Sequence, residues 1–268
     1  MKPVTLLIPF AVLGLAFGQP TPRWRATPFQ RSTAKAADTS LPLNTLLSWI
    51  AQLFPVNVVV QEAGALTTAA ETVVAFDFGI ETTRDIVSGG PCANVTILFA
   101  RGTSEVGNVG VLVGPVFFDA VADRLVLGST LSVQGVDYDA DIPGFLEGGD
   151  PRGSRQMAAD VTRLLAACPD THLVMAGYSQ GGQIVHNAAQ LVPATDLAKV
   201  SAVVIFGDPY YPAAVVGIPL GKQRVICHAA DDICGGGDMV LLSHLTYAGD
   251  ADAAAGFVAD LVLSGLST

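Results

Sequence analysis

The sequence predicts an α/β fold, a three-layer α/β/α sandwich around a five-stranded parallel sheet. Three observations predict it. Five apolar, β-branched runs follow Gly89-Gly90-Pro91, at 95–100, 131–136, 173–177, 202–206 and 224–228. Helix-length stretches separate them near Val109 to Leu127, Gly153 to Ala167 and Gly181 to Val192, with another near Asp250 to Leu263. Continuous apolar runs read as strands covered on both faces, and a parallel crossover needs a helix-length connection. Chemistry on such sheets gathers at the carboxyl ends of the strands, so the residues just after each run are the ones to search.

Taken in order, residues 1–18 carry a basic Lys2, an apolar run from Val4 to Phe17 and small residues at Ala16 and Gly18, the pattern of a cleaved secretory signal. No stretch reaches the roughly 18 uninterrupted apolar residues of a membrane helix, so no transmembrane segment is expected. Residues 19–40 are rich in Pro, Thr, Arg and Lys without periodicity and read as a pro-segment or disordered. From Leu43, apolar residues at Leu46, Leu47, Ile50, Leu53 and Phe54 predict a short amphipathic helix, capped by Ser40, with Pro42 in its first turn and Pro55 at its end. A weaker helical stretch runs from Glu62 to Val74. Residues 41–78 thus form a helical extension ahead of a main domain at 79–268.

Half of the 268 residues are apolar and 14% are charged, as in a well-packed globular chain. The formal charge of −10 becomes −11 when Lys2 leaves with the signal, which offers no basic surface to nucleic acid or anionic lipid. Four cysteines in a chain bound for an oxidising compartment predict two disulfides. Cys227 and Cys234 bracket a short Asp- and Gly-rich loop that a local bridge closes, which leaves Cys92 with Cys168. Neither pair has zinc-knuckle spacing, so no metal is expected. Asn94-Val95-Thr96 is a glycosylation sequon, but it runs into a predicted strand.

The run Leu173 to Gly182 is a strand entering Gly177-Tyr178-Ser179-Gln180-Gly181 and then a helix. A G-x-S-x-G turn in that context exposes the Ser hydroxyl at a helix N-terminus, where N–H groups and the helix dipole favour an anion. Such a hydroxyl needs a base. His172 precedes its strand, at the wrong end of the sheet. His186 sits seven residues along the helix, ~10 Å away by helix rise. His228 ends a strand and competes with His244, which lies on a later loop where the base of a Ser, Asp, His ordered triad falls. For the acid, spacing does not choose among Asp208, Asp231, Asp232 and Asp238. Asp231, inside the loop between Cys227 and Cys234, is favoured because a cross-link there holds its carboxylate in place.

These residues resemble the cutinase family. The resemblance rests on Phe99 to Glu105, Gly107-Asn108, Gly177 to Gly181, Phe206-Gly207-Asp208-Pro209, the Cys227 to Cys234 loop and His244-Leu245-Thr246-Tyr247, in that order, and covers Thr82 to the C-terminus. It implies Ser179, Asp231 and His244 as a triad, the backbone N–H groups of Thr103 and Gln180 as oxyanion hole, and Cys92 paired with Cys168. It also implies acyl transfer without metal or cofactor. Arg101 and Glu105 are expected to pair and brace the oxyanion loop. Phe145, Leu146, Val240, Leu241 and Leu242 are candidates for an apolar substrate rim.

The segment Leu41 to Phe78 resembles the N-terminal lid of a subset of fungal members, its apolar face with Trp49 covering the acyl site in water. The partner expected is cutin or another lipid-like ester at an interface, met by a secreted monomer. An acetyl xylan esterase of the same family is the nearest alternative, and a catalytically silent secreted binding or effector protein is an alternative of another class.

Overall fold

The runs at 95–100, 173–177 and 202–206 are buried along their whole length, so they pair edge to edge with helices over both faces, while the runs at 131–136 and 224–228 flank them and are partly exposed. The computed structural model describes residues 43–86 and 90–265, all within the compact unit Ser40–Thr268. The expected signal at 1–18 and pro-segment at 19–40, and with them Ser40 and Pro42, lie outside the described residues.

The chain runs through α1 (Leu43–Leu53), β1 (Val58–Val59), α2 (Val60–Phe78), β2 (Val95–Ala100), α3 (Gly114–Arg124), β3 (Leu131–Gly135), α4 (Ile142–Leu146) and α5 (Pro151–Ala167). It continues through β4 (His172–Tyr178), α6 (Gln180–Leu191), α7 (Ala194–Leu197), β5 (Ala202–Phe206), β6 (Gln223–Ile226), β7 (Met239–Val240) and α8 (Ala251–Gly265). Five strands form one sheet in the order β3-β2-β4-β5-β6, and every pair is parallel.

Alternation along the strands divides the core in two. Phe99, Val174, Ala176 and Phe206 pack with Phe117 of α3 and Val258 of α8, whereas Leu98, Met175 and Ile205 pack with Met157 of α5 and Ile184 of α6. Each fully buried Val, Leu, Ile, Phe or Met among them contributes about 1.5–3 kcal/mol relative to exposure.

Two helices start away from their predicted positions. Residues 109–113 are turns rather than helix, because the Glu105 carboxylate accepts the N–H groups of Val111 and Leu112, both at 3.0 Å. Helix α5 begins earlier, at Pro151, because the Asp150 side chain caps it by accepting Arg152 N–H at 2.6 Å.

The N-terminal extension is tied to the body. Leu46 and Ile50 of α1 are fully buried, and Trp49 packs edge-on against Phe78 of α2 at 5.3 Å. Strand β1 pairs antiparallel with β7, Val58 opposite Val240 and Val59 opposite Met239. Helix α2 is apolar on both sides: Ala63, Ala70 and Val74 face inward, while Leu66, Val73 and Phe76 are exposed. Disulfides join Cys92 to Cys168 and Cys227 to Cys234. The sequon's Thr96 is buried, its hydroxyl bonded to that of Thr171 at 2.8 Å. Among the described residues no helix is long and apolar enough to cross a membrane.

Candidate active site

Strand β4 ends at Tyr178 and α6 begins at Gln180, so Ser179 alone turns the chain. Its φ of 55° and ψ of −121° lie where side chains are rarely tolerated. The flanking glycines permit the turn. A Cβ on Gly177 would stand 2.3 Å from the Gly181 carbonyl oxygen, and one on Gly181 would stand 1.9 Å from that of Ala100. Ser179 N–H donates to the Phe206 carbonyl at 2.9 Å, which fastens the turn to β5.

His244 Nδ1 meets Asp231 Oδ2 at 2.8 Å, and both side chains are buried. The nitrogen left over, Nε2, is the one available to a hydroxyl. Asp231 Oδ1 accepts the Ile233 N–H at 3.1 Å. Burial pushes the Asp231 carboxyl up, but hydrogen bonds from His244 and Tyr247 and the Ile233 N–H outweigh it and hold the group below its ordinary value. Tyr178 donates to the His244 carbonyl at 2.9 Å and stacks on its ring.

The other histidines are engaged elsewhere. His228 has Nδ1 on the Ser243 carbonyl at 2.7 Å and Nε2 on Asp250 at 2.8 Å, which leaves neither nitrogen to take a proton from Ser179. His186 Nε2 is bonded to Asp208 at 2.9 Å, and His172 Nδ1 lies 3.4 Å from the Ser201 hydroxyl. Asp232 accepts the Met239 N–H at 2.9 Å.

The loop after β2 comes up beside the turn. Gln180 Nε2 donates to the Thr103 hydroxyl at 3.0 Å and to the Asp141 carbonyl at 2.8 Å, so its side chain joins this loop to the start of α6. Glu105 accepts the Gly102, Val111 and Leu112 N–H groups, and burial pushes its carboxyl up against their pull and that of Arg101. From α2, Thr68 donates to the Ser104 carbonyl at 2.7 Å, and Glu71 accepts the Val106 N–H at 2.9 Å. Burial and the Glu105 charge push Glu71 well above the usual carboxyl range.

Ser179, His244, Thr103 and Val240 line one cavity, roofed by Val60, Ala63, Gly64 and Thr67 of the extension. The room left inside for water is about 30 Å³, enough for one or two molecules and none for an ester chain.

The Cutinase family model matches residues 91–262, most of the chain, from β2 into α8. The chain belongs to the cutinase family. A cutinase of Botryotinia fuckeliana is 55% identical over 167 residues, 62% of this chain and 82% of that one. Cutinase cut1 of Trichoderma harzianum is 45% identical over 249 residues, 93% of this chain and 95% of that one. A solved Trichoderma reesei cutinase, in complex with a C11Y4 phosphonate inhibitor, superposes with a TM-score of 0.70 at 46% identity, covering 82% of this chain and 98% of that one.

As a cutinase-family member the chain is a carboxylic ester hydrolase of α/β-hydrolase fold. Several expected details differ. Arg101 does not pair with the Glu105 carboxylate; its Nε donates to the Glu105 carbonyl at 2.7 Å, because the carboxylate is already occupied by three N–H groups. Of the five rim candidates, only Val240 borders the Ser179 cavity. Phe145 and Leu146 line a separate groove with Gln183 and Tyr210, and Leu241 and Leu242 border neither. Trp49 does not cover the cavity, since the roof is α2. Tyr178 and Tyr247 lie in motifs quoted above, but what they and Glu71 bond to is not legible in the sequence, because each meets a residue remote along the chain.

Proposed function

We propose that this chain is a secreted serine esterase that hydrolyses the ester bonds of cutin and related lipid-like polyesters or acylglycerols. The observation that carries this reading is the single cavity shared by Ser179, on its strained turn, and His244, held by Asp231. Ser179 Oγ attacks the ester carbonyl while His244 Nε2 takes its proton, and Asp231 stabilises the imidazolium that results. The Gln180 and Thr103 N–H groups receive the tetrahedral oxyanion, and losing one such donor costs about 10²–10³-fold in rate. His244 protonates the departing alcohol. It then activates a water that frees the acid from Ser179. The phosphonate inhibitor of the Trichoderma reesei cutinase has the tetrahedral shape of that intermediate, in line with this chemistry.

The segment at 41–78 serves as a lid. Support comes from the four α2 residues over a cavity too small for substrate, and from the exposed Leu66, Val73 and Phe76 on the opposite side of the helix. An apolar surface offers both faces a partner once the helix moves. The signal-like 1–18 segment and the two disulfides support secretion.

A p-nitrophenyl ester series from acetate to palmitate tests the reading. Turnover is expected to peak at butyrate or longer and to vanish in Ser179→Ala. Deleting residues through 78 is expected to raise activity on soluble esters and to abolish any preference for emulsions. Acetate-only activity would indicate an acetyl xylan esterase. No turnover from the folded, lid-deleted chain would indicate a silent binding protein.

A further inference from the structure

Tyr247 has no part in the chemistry above, yet its hydroxyl lies 2.6 Å from Asp231 Oδ2, the same oxygen that meets His244 Nδ1 at 2.8 Å. That hydroxyl also accepts the His228 backbone N–H at 2.9 Å. A phenol has one hydrogen, and with the N–H on its lone-pair side that hydrogen points to the carboxylate. The ring is fully buried, stacked on His228 at 4.0 Å and edge-on to His244 at 6.0 Å, so it has no room to swing away. Burial and the Asp231 carboxylate push the hydroxyl above its ordinary value, which keeps it a donor.

We propose that Tyr247 is a positioning residue of the Asp231–His244 pair. It fixes which carboxylate oxygen faces the imidazole and takes a share of that oxygen's negative charge. The proposal rests on the reading of Ser179, Asp231 and His244 given above. With Oδ1 on the Ile233 N–H and Oδ2 on two donors, the carboxylate cannot rotate. The two donors to Oδ2 compete for its charge, so the stronger the phenol's hydrogen bond, the weaker the carboxylate's hold on an imidazolium. The titratable groups facing Tyr247 are Asp231, His244, His228, Asp250 and Tyr178, and among them the phenol donates to Asp231.

Tyr247→Phe removes only the oxygen. It is expected to lower kcat about tenfold with KM unchanged, the effect of losing one charge-assisted hydrogen bond. The acid limb of the kcat/KM–pH profile is expected to rise by about half a pH unit, because Asp231 then holds the imidazolium more strongly. Placing 3-fluorotyrosine at 247, a stronger donor of nearly the same size, should move that limb the opposite way. Asp231→Asn, expected to cost about 10⁴-fold, sets the scale. An unimpaired Asp231→Asn would overturn both the site reading and this proposal. If Asp231→Asn is crippled while Tyr247→Phe changes only the melting temperature, the proposal alone falls and Tyr247 is packing. If Tyr247→Phe does not fold, the fluorotyrosine chain decides, and an unmoved acid limb overturns the proposal.

Discussion

Asp208 and His186 form a buried pair, Oδ2 to Nε2 at 2.9 Å, between the loop after β5 and the body of α6. Asp208 also accepts the Tyr210 N–H at 3.0 Å, so both of its oxygens are used within that corner. His244 has its own carboxylate in Asp231.

Asp208→Asn and Asp231→Asn should therefore behave oppositely. The first weakens a buried hydrogen-bonded pair by exchanging a carboxylate oxygen for an amide, and is expected to destabilise the fold by about 1–3 kcal/mol while leaving kcat of the folded chain within about threefold. The second is expected to lower kcat by about 10⁴-fold with a smaller loss of melting temperature. Paired kcat and thermal-melting measurements separate them.

Gly207 has φ +60°, and a Cβ there would stand 2.9 Å from His244 Cε1 and 2.8 Å from Tyr247 Cε2. Gly207→Ala is expected to displace the imidazole and lower kcat by about 10²-fold, the cost of a misplacement near 1 Å. Wild-type kcat from this variant would mean that the histidine loop yields without loss.

Glu71 predicts a pH dependence. Its carboxyl sits well above an ordinary value of 4.5 in the folded chain, so between 4.5 and the folded value the unfolded chain releases a proton that the folded chain keeps. Its contribution is fully present below 4.5 and is lost as pH rises through the folded value. Glu71→Gln removes this slope, so its melting temperature should match wild type near pH 4 and exceed it increasingly toward pH 8. A wild-type advantage that grows with pH would show that Glu71 is ionised in the fold.

The Cys227–Cys234 bridge closes the loop that carries Asp231. Replacing both cysteines by serine should cost about 2–3 kcal/mol in unfolding free energy by the loop-entropy relation. It should also lower kcat, because the carboxylate loses its frame. Denaturant melts and a kcat measurement on the double variant test both parts.

Local signals alone determined much of this protein. Strands β2 and β5 were legible to the residue because their apolar runs are buried on both faces and stop at turn residues. The Ser179 turn was legible because its glycines are required by contacts within a few residues and across one neighbouring strand. What the tertiary structure decided lies where partners are far apart in the chain. Spacing offered Asp208, Asp231, Asp232 and Asp238 to His244, and only folding brings the Asp231 carboxylate to its Nδ1. The turns at 109–113 follow from a single buried glutamate, which a helical pattern cannot reveal. The roof over the cavity is α2 because β1 pairs with β7, a contact that spans most of the sequence. Periodicity reports which face of a segment is buried. It carries nothing about which remote polar group a buried donor or carboxylate will meet, since that depends on how the layers dock.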